Sequence, residues 1–112
     1  MAEHRYYPIE HLQMLKKIEP ELFIRLTDTV VAIHTLCMEY PDVLFTAFPD
    51  LMGYLDLTDV LSEQFHAINK IFKQRVGKTF FLRITDYNFR KTKVLIALAI
   101  YEDLHAGSFP VS

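Results

Sequence analysis

Apolar residues recur at three- and four-residue spacing along almost the whole chain, in runs divided by proline. That rhythm fits helices and leaves little room for strands. Leu22, Leu26, Val30, Ile33, Cys37 and Tyr40 make the longest stripe, and Pro20 followed by Glu21 suits the first turn of a helix reaching about Glu39. Pro8 opens a shorter helix to about Ile18, with Ile9, Leu12, Leu15 and Ile18 on one side. Leu57, Leu61, Phe65, Ile68 and Phe72 predict another, capped by Asp56, carrying Asp59 in its first turn, running to Val76 and stopped by Gly77.

Between these lies an echo, Tyr40-Pro41-Asp42-Val43-Leu44 followed by Phe48-Pro49-Asp50-Leu51-Met52. Proline ends a preceding helix and tolerates only the first turn of the next, so residues 40–55 read as one or two short, angled helices, with Gly53 closing the corner. Residues 78–84 read as a loop or short helix. Thr85 or Asp86 can cap a last helix to about His105, apolar nearly all round between Val94 and Ile100 and expected at the centre of the core along a Phe80, Ile84, Tyr87, Val94, Leu98, Tyr101 seam. The fold class expected is all-α: a compact bundle of about four to five helices in a single domain spanning 1–112. Residues 1–7 are expected as a flexible arm and 108–112 as a flexible tail.

A chain of 112 residues buries roughly two-thirds of the surface it exposes unfolded. Its 51% hydrophobic content and fifteen aromatic residues, nine Phe and six Tyr, exceed what a core of that size must consume, so some apolar surface is expected outside. The longest apolar run, Val94 to Tyr101, falls far short of the roughly 20 residues of a membrane span, and no signal-peptide pattern opens the sequence; the location expected is cytoplasmic. One cysteine, Cys37, excludes an internal disulfide. Its place in the middle of the second stripe reads as a small core residue rather than a nucleophile.

Charge is sorted along the chain. Between Arg25 and Lys70 there is no lysine or arginine, while Asp28, Glu39, Asp42, Asp50, Asp56, Asp59 and Glu63 fall in that interval. From residue 70 to 93 the sign reverses: Lys70, Lys73, Arg75, Lys78, Arg83, Arg90, Lys91 and Lys93 stand against Asp86 alone. Such polarity suits steering toward a charged partner, or compensation within the fold.

Catalytic signatures are missing from the sequence. Gly77-Lys78-Thr79 resembles the end of a phosphate loop, but Phe72 occupies the place of its first glycine. Glu63/His66 and Glu102/His105 have the Glu-x-x-His spacing of di-metal bundles, which require both residues to face inward. The stripe Leu61, Phe65, Ile68, Phe72 puts Glu63 and His66 on the outer face, and a lone His105 on an apolar seam reads as a hydrogen-bonded core residue.

No catalytic residue, metal or cofactor is therefore expected. The leading expectation is a non-enzymatic helical protein acting by protein–protein interaction, as a regulator, adaptor, chaperone or inhibitor. Self-association as a symmetric dimer through the first or last helix accompanies it. Asp42, Asp50, Asp56, Asp59 and Glu63 are its candidate acidic surface. The alternative is a nucleic-acid-binding regulator using the eight basic residues of 70–93, interleaved with Phe72, Phe80, Phe81, Tyr87 and Phe89 for stacking. A metal-binding helical bundle is the remote third.

Overall fold

The computed structural model describes residues 6–40, 52–82 and 90–106, with side chains from 57 and from 91 onward in the last two stretches. It is an all-α bundle, with four helices among the described residues: α1 (Ile9–Ile18), α2 (Pro20–Glu39), α3 (Met52–Arg75) and α4 (Arg90–His105).

Proline sets the joints. Pro20 has no N–H to offer the preceding turn, and its ring pushes Glu19 out of helical geometry, to φ −141° and ψ 70°. Glu19 thus ends α1, donating its N–H to the Leu15 carbonyl at 2.9 Å, and begins α2, its own carbonyl accepting from Phe23 N–H at 2.9 Å. Two helices meet through one residue. The same device recurs at Tyr40, which precedes Pro41, takes φ −130° and ψ 77°, and donates to Leu36 O at 2.9 Å.

Helix α2 packs against each of the other three, and α3 also packs against α4. The second helix, rather than the last, is therefore the centre of the bundle. Leu26, Val30 and Ile33 are fully buried there, against Leu12 and Leu15 of α1, Leu61, Phe65, Ile68 and Phe72 of α3, and Val94, Ile96, Ala97 and Ile100 of α4. Helix α3 runs back along α2. Gln64 Nε2 donates to Thr29 Oγ1 at 3.0 Å, and further down α3 Arg75 Nη1 reaches Glu19 Oε2 at 2.7 Å.

Two expectations at the start of α3 need correction. Helix α3 begins at Met52, so Gly53 and Asp56 lie inside it and neither closes a corner nor caps a helix start. Once a helix is nucleated, each residue added at its end gains a backbone bond, and one glycine in the first turn does not prevent that. Residues 41–51 of the anticipated corner lie outside the described residues, as do the proposed caps Thr85 and Asp86 and the tail 108–112.

The N-terminal arm is tied down where it meets α1. Tyr7 is wholly buried, its hydroxyl donates to Asp103 Oδ2 of α4 at 2.7 Å, and Tyr6 O accepts from the backbone N–H of Leu82. A phenol next to α1 has both an apolar body and a donor to place, and α4 supplies the acceptor.

Residues 78–82 are irregular, and their aromatics fold back onto the bundle. Phe80 packs edge-on against Phe72 at 5.0 Å between ring centres and lies 5.7 Å from Tyr7, while Phe81 lies 4.7 Å from Phe65. His11 of α1 completes the cluster, with Nδ1 2.7 Å from Phe80 O.

The reversal begins at Gly77, whose φ of 84° suits glycine and whose N–H shares the Phe72 carbonyl with that of Val76. A Cβ built there meets nothing within 4 Å. Gly77→Ala is therefore expected to cost about 1–2 kcal/mol, from backbone strain alone. Urea denaturation reads that directly, and an unchanged midpoint would contradict it.

Candidate functional site

Helix α4 is apolar nearly all round, and packing decides which side it buries. Ile96, Ala97, Ile100 and Asp103 go inward. The face anticipated as the core seam instead turns outward beyond Val94: Leu98 and Tyr101 are half-buried and His105 is exposed. His105 is thus not a core residue; its Nδ1 lies 2.9 Å from Tyr101 O, one turn back along its own helix.

That outward face of α4 and the C-terminal half of α2 enclose an open groove of about 530 Å³, lined by His34, Cys37, Met38, Leu98, Tyr101, Glu102, His105 and Ala106. Three rings stack along it. His34 lies flat on Tyr101, with centres 3.6 Å apart and planes 5° from parallel, and His105 covers Tyr101 from 4.2 Å at 22°. Tyr101 is thereby held by a ring from each helix, so this wall is pre-formed. Cys37 backs the groove, half-buried against the core, and burial pushes its thiol pKa up, opposite to what a nucleophile needs.

Met38, at 69% exposure, forms the rim. From it a stripe climbs the outer face of α2 at seven-residue spacing through Val31 to Ile24, which is 57% exposed. Seven residues is nearly two full turns, so the three lie over one another opposite the buried stripe.

Among the described residues, no lysine or arginine lines the groove. Helix α2 has no basic residue in its last turn, and that of α4 has only His105. Cations collect at the other end of α2, where Arg75 pairs with Glu19 and Lys16 lies 6.0 Å from the Phe23 ring centre. Cys37 is about 27 Å along the helix from Glu19.

Of the anticipated basic residues, Lys70, Lys73, Arg75 and Lys78 are exposed on the end of α3 and the turn after it, and Lys91 is exposed and Lys93 half-buried on α4. Arg90 is the first residue of α4, and Arg83 lies outside the described residues. The aromatics interleaved with them are spent elsewhere: Phe72 and Phe80 are fully buried and Phe81 is 6% exposed, so none offers a face to a base. Tyr87 and Phe89 lie outside the described residues.

Among the acids, Asp59 and Glu63 are exposed on the N-terminal half of α3, Asp56 is within that helix, and Asp42 and Asp50 are outside the described residues. Part of the sign reversal thus runs along one helix, with acids in its N-terminal half and Lys73 and Arg75 in its last turn, where the dipole favours cations. Glu63 and His66 both face solvent, and no group of three or more potential metal ligands gathers among the described residues. No described helix is long and apolar enough to cross a membrane.

Sequence reasoning missed the groove. The one signal available was the Ile24, Val31, Met38 repeat on the face opposite the main stripe. Comparison with protein-family models, with curated proteins and with solved structures returns no match.

Proposed function

We propose that this is a non-enzymatic binding protein whose output is occupancy of the α2–α4 groove by a segment of another protein. The observation that carries the reading is the groove itself: apolar side chains with a pre-stacked aromatic wall, left open beside an exposed methionine. Met38 stands exposed beside the groove, and Val31 and Ile24 continue its stripe along α2, an apolar edge that suits a docking surface. Side chains already locked by packing lose little entropy when a partner arrives.

A second copy fits this face poorly. A symmetric contact would set the carboxylates on and beside the groove against their own copies, Glu102 against Glu102 or Glu39, and like charges across an interface cost affinity. A symmetric dimer through this face of the last helix is therefore not part of this reading.

The test is light scattering and peptide capture on the whole chain and on Ala106→Trp, which puts an indole into the groove from an exposed position at its edge. The wild-type protein is expected to be a monomer that captures peptides, and Ala106→Trp a monomer of the same thermal stability that does not. A dimer abolished by Ala106→Trp would give the groove to a second copy and overturn the proposal.

A further inference from the structure

Resting on that reading, we infer that the segment entering the groove is basic and amphipathic: an apolar side chain seated between Met38, Leu98 and Tyr101, flanked by lysine or arginine. The sorted charge along the chain acquires a place in space here. Each wall comes from a stretch of sequence without permanent cations, α2 beyond Arg25 and α4 beyond Lys93. Carboxylates remain, Glu102 on the groove and Glu39 exposed one residue past Met38.

The backbone adds to them. The groove lies against the C-terminal halves of both helices, toward the ends where the aligned peptide dipoles leave partial negative charge, and His105 is the one basic residue in either last turn. The permanent cations of α1 and of the end of α3 lie at the far end of α2. Beyond about one Debye length they screen the groove little in physiological salt. A basic segment gains attraction from these carboxylates and from the negative helix ends, and an acidic one would be repelled.

The groove also suits a helical segment more than an extended one. It runs between two helix flanks, where an apolar ridge with residues three and four apart can lie, and no sheet edge stands among the described residues for an extended strand to join.

The experiment is an unbiased one: selection of random peptides displayed on phage against the immobilised full chain, with counter-selection on Ala106→Trp, followed by fluorescence anisotropy of the enriched peptides at low and high salt. Enrichment of an aromatic or aliphatic anchor with lysine or arginine three or four positions away is expected. Affinity should fall as salt rises, and by about tenfold or more in Glu102→Lys, because a rim charge is then reversed. Glu102 is exposed, so unchanged thermal stability of that variant separates lost binding from lost fold.

Groove-dependent peptides that lack basic residues, or whose binding ignores salt and Glu102→Lys, would overturn the inference while leaving the groove as a docking site. Failure to enrich any peptide sensitive to Ala106→Trp would overturn both.

Discussion

Tyr7→Ala is expected to cost about 3–5 kcal/mol in lost packing, the range for truncating a large buried aromatic. Loss of the hydrogen bond to Asp103 adds about 1–3 kcal/mol. Against a total stability of about 5–15 kcal/mol, that is enough to unfold much of the population. The side chain is fully buried and touches Phe80 from the loop and Asp103 from α4, so one residue joins three separate segments. Chemical denaturation with far-UV circular dichroism reads the loss, and a variant as stable as wild type would mean that the arm is dispensable after all.

Tyr7→Phe isolates the hydroxyl. Burial, and then the hydrogen bond to Asp103, hold the Tyr7 phenol pKa far above its ordinary value. A folded pKa above the unfolded one contributes stability that is complete below about pH 10 and is lost as pH rises past it, because the unfolded chain releases the proton first. Stability of the wild-type protein should therefore fall on the alkaline side, and more steeply than that of Tyr7→Phe. Parallel pH curves for the two proteins would contradict this account.

Phe72→Ala is the second large loss, about 3–5 kcal/mol and a melting temperature lower by about 10–20 °C. Phe72 is the hinge of the aromatic cluster: His11 lies 4.9 Å from it and Phe80 5.0 Å, and its carbonyl accepts the N–H groups that close α3. Removing the ring opens a cavity that α1, α3 and the loop share. Amide exchange should rise at residues 78–82 as well as along α3. Lys73, the exposed neighbour, provides the contrast, since Lys73→Ala is expected to stay within about 0.5 kcal/mol. Equal effects at the two positions would show that the loop does not depend on the cluster.

The helices were legible because their signals are local. The α2 stripe and the prolines at its ends depend only on residues one or two turns away, and in the structure Leu26, Val30 and Ile33 are buried where the period puts them. The α3 stripe was legible for the same reason, from Leu61 to Phe72. Its start was not. Asp56 is a good capping residue, yet capping preference is worth about 1 kcal/mol and propagation of an existing helix overrides it.

The candidate site was much less legible. In α4 the outer Leu98 and the ring of Tyr101 are apolar surfaces as large as those of the inner Ile96 and Ile100, so no period distinguishes them. Asp103 shares a face with Ile96 and Ile100 at helical spacing, which was a usable sign of a buried acid, but its partner Tyr7 is 96 positions away. Charge order along the chain was legible from the start; its meaning depended on where α2 and α4 end.

By itself, then, the sequence determined that this protein is built of helices, where proline divides them, which face of α2 and α3 seeks the core, and that its charges are sorted. Those properties follow from neighbours within a few residues, which the chain carries wherever it goes. Only the tertiary structure decided that α2 lies at the centre, that α4 turns Tyr101 outward, and that His34 and His105 close on it from two helices. These choices follow from filling a shared volume and from which distant groups meet across it, and a helix that is apolar on every side has no local preference with which to make them.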